Sequence, residues 1–381
     1  MKISLRFTTF VLTIVAIIFG MPTSAQSNTS PDKNAAVHIS IIPPLSTNGR
    51  EAGLYTNTLS FNMLAGVSKN ELALTFGGLA NVINNNSNGV QFAGLYNHIG
   101  NEGKGLLFSG LANNINGNYS GLQFAGLSNI SKDVTGLQFA GLVNIADDFT
   151  GSQFAGLLNM SSSTRGFQFA GLINVTKNTI GTQIAGLANI AQDVTGSQLA
   201  GLVNISKNVS GVQIAGLINI ANNSDTPIGI LNLIRNGEYG VAINHNEIGS
   251  TLLTFRSGGK NTYGILGLGY NHKTSNSFVN VFGFGQRINC MSWLKINNEL
   301  VSESIGIFSK ESTFKTSYIV SPALRIGRHI EIFGGVSLNY MHSNNVNNTR
   351  LFDNNSLWKR NDSSHLQQIH VGYQFGVQYI F

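Results

Sequence analysis

Gly136-Leu137-Gln138-Phe139-Ala140-Gly141-Leu142-Val143-Asn144-Ile145 is followed by a short polar stretch and then by its own near-copy, Gly151-Ser152-Gln153-Phe154-Ala155-Gly156-Leu157-Leu158-Asn159-Met160. The pattern G-x-Q-φ-A-G-L-x-N-φ, with φ apolar, starts at Gly121, Gly136, Gly151, Gly166, Gly181, Gly196 and Gly211, a strict period of 15 residues. Two earlier copies begin at Gly89 and Gly105, spaced by 16, a degraded one covers Ala73 to Val82, and Gly229-Ile230-Leu231-Asn232 reads as a truncated last copy. Self-similarity at a fixed short period marks a repeat architecture.

Within a unit the period is two. Leu137, Phe139, Gly141, Val143 and Ile145 alternate with Gly136, Gln138, Ala140, Leu142 and Asn144. Such alternation predicts a strand, and Gly at two fixed positions opposes a helix. Between Gly121 and Ala221 every charge (Lys132, Asp133, Asp147, Asp148, Arg165, Lys177, Asp193, Lys207) falls in the last four positions of a unit. Each unit is therefore expected to be a strand of about 11 residues and a tight polar turn. One face keeps its identities: Gln123, Asn129, Gln138, Asn144, Gln153, Asn159, Gln168, Asn174, Gln183, Asn189, Gln198, Asn204, Gln213 and Asn219 recur with Ala and Leu between them. The other is only required to be apolar, with Phe124, Phe139, Phe154, Phe169, Ile184, Leu199 and Ile214 at one position. Fixed identities suit a face in register with its own copies; interchangeable apolar shapes suit lipid or a loosely specified layer.

Two all-β architectures accept these strands. In an antiparallel outer-membrane-type barrel built largely from the repeats, Gln would lie across from Asn and Ala across from Leu, both sensible cross-strand pairs. A strand of that length, at about 3.3 Å per residue and tilted near 45°, climbs roughly 25 Å, the height of an outer-membrane apolar band. The amide face would then line the lumen, although a fixed Leu and a near-absence of charge are odd there. In the alternative, a β-solenoid followed by an antiparallel β domain, each unit is one coil and the Asn residues stack into a ladder.

The last residues carry a second pattern. Val371, Tyr373, Phe375, Val377, Tyr379 and Phe381 share one face, and Gly372, Gln374, Gly376, Gln378 and Ile380 the other. Thr262 to Asn271, Ser277 to Arg287 and the segment around Ile330 to Tyr340 read as further strands, and the Asn-rich stretch from Met341 to His365 as a long surface loop. The chain thus divides into a leader (1–25), a segment with first strands (26–72), the repeats (73–235) and C-terminal antiparallel strands completing a barrel (236–381).

At the other end, Lys2 and Arg6 precede an apolar run from Phe7 to Phe19 and the small residues Thr23, Ser24 and Ala25, predicting a secretory leader cleaved after Ala25. Charged residues make up only 10% of the chain, which argues against an ordinary globular enzyme. The net charge of +6 includes two leader cations and gives no reason to expect nucleic acid. Cys290, the single cysteine, excludes an internal disulfide.

The unit Gly151-Ser152-Gln153-Phe154-Ala155-Gly156-Leu157-Leu158-Asn159 resembles a family of bacterial surface repeat proteins with tandem G-x-Q-x-A-G-L-x-N units, over roughly Ala73 to Asn232. The C-terminal strand, with Tyr373, Phe375, Tyr379 and a final Phe381, resembles the closing strand of outer-membrane β-barrels. Together the resemblances imply an outer-membrane or cell-surface location, outer-membrane lipid and the barrel-insertion machinery as partners, and an unidentified surface ligand if the repeats bind one.

No catalytic constellation emerges. His38, His98, His245, His272, His329, His342, His365 and His370 are scattered, and the last two, five residues apart, would point to opposite faces of a strand. Gly267-Leu268-Gly269 and Gly283-Phe284-Gly285 lack the strand-turn-helix context of a phosphate cradle. Asn-x-Ser/Thr triplets such as Asn129-Ile130-Ser131 belong to the repeat and are read as structural. The expectation is a Gram-negative envelope protein without cofactor, metal or enzymatic activity, with a structural or passive-permeation role, or else a surface-displayed solenoid that adheres or binds.

Overall fold

The computed structural model describes residues 33–274, 278–306, 312–344, 351–352, 356–361 and 365–381; the expected leader, 1–25, lies outside them. The chain is all-β and forms two units, a parallel β-solenoid of about twelve turns and a closed antiparallel barrel of eight long strands. The repeats do not build the barrel. They are the solenoid, and the barrel is closed by the C-terminal strands alone.

Parallel pairing brings every unit onto its copy in strict register: Gly136 meets Gly151, Gln138 meets Gln153 and Ala140 meets Ala155, while Asn144 meets Asn159. The register reaches back past the recognisable repeats, through Phe61 against Phe76, to a first coil in which Lys33–Ile42 pairs with Tyr55–Asn62. Identical side chains therefore stack at the spacing of adjacent strands, about 4.8 Å.

Two details differ from the sequence expectation. The strand does not run through the unit, because the chain bends at each Gly-Leu pair: Asn178–Ala185 ends before Gly186-Leu187, and Ala188–Ile190 follows. A coil must return on itself within its own length, so one bend is inserted where alternation alone would continue. Gln183, Ala185 and Asn189 point inward while Leu187 is turned out, so the invariant Leu does not belong to the amide face. The charged positions are likewise not hairpin turns; Asp193 opens the next strand, Asp193–Ala200.

The first Gly of each unit has a backbone reason. Gly181 has φ of 134°, a region that residues with a Cβ avoid, and an added Cβ would run into the carbonyl oxygen of Gly166 in the coil before.

The barrel strands are Glu238–Asn246, Ser250–Gly258, Thr262–Asn271, Phe278–Asn289, Leu294–Ile305, Thr313–Ile326, Ile330–Ser343 and Leu366–Ile380. Each pairs antiparallel with the next, and the last returns to the first through Gly240 against Ile380 and Asn246 against Gln374. One rim carries the start of the first strand, the chain end at Phe381 and the short connections 259–261, 290–293 and 327–329. The opposite rim carries the connection 247–249 and the described ends of the other connections, 272–274, 306, 312 and 344. Of the expected surface loop, Met341 to His365, the first three residues extend the strand Ile330–Ser343, Trp358–Asn361 forms a short strand paired with Leu366–Ile380, and residues 345–350, 353–355 and 362–364 lie outside the described residues.

The solenoid abuts the barrel at the short-turn rim, on the outer wall. Arg256 points into the lumen, so its neighbour Ser257 points out; Ser257 Oγ accepts from the Asn232 backbone N–H (3.1 Å) and its carbonyl from Asn232 Nδ2 (3.3 Å). On the adjacent strand Gly264 leaves room for the carbonyls of Gly229 and Ile230, which any Cβ there would strike. At the tip of the hairpin Thr262 Oγ1 donates to the Pro227 carbonyl (2.8 Å).

Candidate functional site: the solenoid amides and the barrel lumen

The amides singled out by the repeat come together in the solenoid interior. All fourteen, from Gln123 to Asn219, are fully buried. Each Asn Nδ2 donates forward to the next Asn Oδ1 and to a backbone carbonyl; Asn144 reaches Asn159 at 3.0 Å and the Phe154 carbonyl at 2.8 Å. The ladder runs on in both directions, from Asn62 through Asn81, Asn97 and Asn113 to Asn232. The Gln residues run the other way: Gln153 Nε2 donates back to Gln138 Oε1 (2.7 Å) and Gln183 to Gln168 (2.8 Å). The two ladders thus carry opposed amide dipoles. These amides bond to their own copies and to the backbone, so they hold the coil stack together and present no surface to a ligand.

Outside, the interchangeable apolar position forms a column of rings. Phe76, Phe92, Phe108, Phe124, Phe139 and Phe154 are stacked at 4.7–5.0 Å between successive centroids. Phe108, Phe124, Phe139, Phe154 and Phe169 line a shallow apolar groove with the small residues that follow them, such as Ala125-Gly126 and Ala140-Gly141. Lysines and aspartates stand on the opposite corner. Asn86, Glu102, Lys104, Asp133 and Asp148 line a second, polar depression there.

Glu71 interrupts the amide pattern inside an early coil. Its carboxyl accepts from Asn57 Nδ2 (3.0 Å), Ser60 Oγ (2.8 Å) and Thr75 Oγ1 (3.0 Å), and burial pushes its pKa up against the opposing pull of those donors.

The barrel is polar inside and apolar outside. Toward the short-turn rim Glu238 binds Arg287 (2.9 Å) and Arg325 (2.7 Å), and Lys295 binds Glu331 (2.8 Å). Glu299, four residues farther along its strand than Lys295, meets Arg256 (3.0 Å) and also accepts from Tyr263 Oη (2.6 Å) and Gln374 Nε2 (3.1 Å); Arg256 donates to Gln378 (2.8 Å). Toward the loop rim Lys315 lies between Glu247 (3.1 Å) and Glu303 (3.2 Å), with His370 on Glu247 (3.2 Å). Arg256, Tyr263, Glu299 and Lys315 are each no more than 2% exposed, so these side chains fill the interior at their levels. An eight-stranded barrel is just narrow enough for that.

Sequence reasoning missed this network. A signal was present in Lys295, Glu299 and Glu303, which share one face of Leu294–Ile305 and point inward.

The C-terminal residues Tyr373, Phe375, Tyr379 and Phe381 lie exposed on the outer wall, with Gln374 and Gln378 on the lumen side, as the alternation predicts. His365 contacts the His342 ring (5.2 Å between centroids), whereas His370 sits in the lumen. Among the described residues no group of three His, Cys, Asp or Glu side chains is arranged to hold a metal ion. Cys290 is exposed in a rim connection.

The architecture is that of a repeat protein: stacked 15-residue coils held by Asn ladders, docked on a barrel. Compared with models of known protein families, with curated proteins and with solved structures, the chain matches none.

Proposed function

We propose that this is an outer-membrane protein of the Gram-negative envelope whose barrel anchors a structural solenoid. The observation that carries the reading is the inversion of the barrel. Large apolar side chains such as Leu268, Phe284, Val336 and Phe375 cover the outer wall, and ionised groups fill the interior. In water that arrangement exposes a wide apolar belt and confines charge; in a bilayer both preferences are met. A final strand ending in an aromatic residue fits delivery by barrel-insertion machinery, and the leader supplies export.

The filled lumen favours a structural over a passive-permeation role. Unboiled protein from the membrane fraction is expected to migrate faster on gels than boiled protein, as closed barrels do. Liposomes carrying it are expected not to swell in neutral sugars. Release of the protein by carbonate or urea washing would overturn the anchored reading, and rapid swelling would overturn the structural one.

The adhesin reading places the solenoid outside the cell. Short turns and long loops argue otherwise: outer-membrane barrels carry their short turns at the periplasmic rim, and the solenoid leaves from the short-turn rim. Proteolysis of intact cells is expected to leave the solenoid uncut, and its cleavage there would restore the adhesin reading.

A further inference from the structure

We infer that the solenoid lies along a lipid leaflet beside the barrel, with its Gly-Leu corner immersed in acyl chains and its charged corner in water. The inference rests on the membrane reading of the barrel and adds a lipid surface as the partner of the repeats. Three observations carry it.

The first is the division of the coil surface. The Leu at each corner is turned outward; Leu142, Leu157, Leu187 and Leu217 are each 39–45% exposed, far more than an interior Leu would be. On one side of the corner runs the stacked column of Phe124, Phe139 and Phe154, continued by Ile and Leu. On the other run the outward residues of the short strand, such as Ile145, Met160 and Ile190, interrupted at His98 and Asn114. Every charge between Gly121 and Ala221 is confined to the last four positions of a unit, which lie away from that corner. The result is a rod with one greasy edge and one charged edge along roughly twelve coils, or about 55 Å at one strand spacing per coil.

The second is how the rod meets the barrel. It docks end-on against the outer wall at Ser257 and Gly264, so it projects sideways from the wall.

The third is its rotation about its own axis. In the last coil the corner residues Gly229 and Ile230 sit against Gly264, deeper along the wall, next to the exposed apolar residue Leu266. Ser224, on the opposite side of that coil, sits at the hairpin tip by Gly259. The greasy edge therefore faces the barrel waist and continues its apolar belt, and the charged edge faces away. A rod turned the other way would break that belt. Each coil adds outward apolar area, which favours lipid whatever the exact side chain. This accounts for the tolerance of Phe, Ile and Leu at the ring position.

The test uses the full-length protein in liposomes, with Cys290→Ser as background and an environment-sensitive fluorophore on single cysteines. L157C and L187C report the corner, D147C and K177C the charged edge, and L268C the barrel belt. Nitroxide lipids are expected to quench L157C, L187C and L268C, and aqueous iodide to quench D147C and K177C. If L268C is quenched by lipid while the corner sites are quenched by iodide, the solenoid stands clear of the membrane and the inference fails alone. Failure of lipid to quench L268C sinks the barrel reading and the inference with it. Corner sites shielded from both quenchers, together with a cross-linked dimer, mean that a second copy covers the edge, and this also overturns the inference.

Discussion

Asn159 illustrates why the repeat tolerates so little at its amide positions. It is fully buried, accepts from Asn144 and donates to Asn174 (3.0 Å) and to the Phe169 carbonyl (2.7 Å). Asn159→Ala strands three buried groups, each worth about 1–3 kcal/mol when left unpaired. We expect a loss of about 3 kcal/mol or more in solenoid stability, read by chemical unfolding of the full chain, while Leu157→Ala on the exposed corner loses far less in detergent. Gly181→Ala meets both a left-handed φ and the Gly166 carbonyl, and should cost at least about 2 kcal/mol. Glu71 gives a pH signature of its own. Burial raises its folded-state pKa above the ordinary 4.5, so its contribution to stability is fully present below that value and is lost as pH rises through the folded pKa. Thermal melts of the wild type should therefore lose more stability between mildly acidic and neutral pH than melts of Glu71→Gln; identical pH profiles would refute this.

At the scale of the element, the repeating unit shows what alternation conveys and what it conceals. That Gln138, Ala140 and Asn144 share an interior follows from their spacing together with their fixed identity. The bend at Gly141-Leu142 does not. A period of two reads the same through a straight strand of ten residues as through two shorter ones whose phases happen to agree, and Leu142 falls on the same parity as the amides whether it is inside or out. Only the closure of the coil turns it out. The barrel strands were more legible: Thr262–Asn271 appears with its expected ends, and the last strand has the predicted apolar outer face. Their inner faces were not, because Lys295, Glu299 and Glu303 on one strand find their partners on others, among them Arg256, Lys315 and Glu331. Glu299→Ala leaves Arg256 charged and unpaired in the lumen and is expected to cost about 3–5 kcal/mol, measured by urea unfolding in detergent micelles. A Glu299→Ala barrel as stable as the wild type would mean that water reaches Arg256.

For the whole molecule, the repeats and the C-terminal strands belong to different units that meet at one rim. The joint is made by small and polar groups: Ser257, Gly264, Thr262 and Asn232. Gly264→Val fills the space taken by the Gly229 and Ile230 carbonyls. It is expected to detach the solenoid without opening the barrel, so that gel migration of the unboiled protein is kept while protease cleavage between Ile234 and Glu238 becomes faster. The all-β class, the repeat boundaries and the outward aromatic face of the final strand were determined by the sequence alone, because each depends on local periodicity and on residues close in the chain. Whether identical units stack in parallel or face one another antiparallel is a choice between partners, and both choices satisfy the same alternation. The tertiary structure decided it, since only parallel stacking lets every buried amide meet its own copy and leaves the charged strands free to close a barrel around their ion pairs.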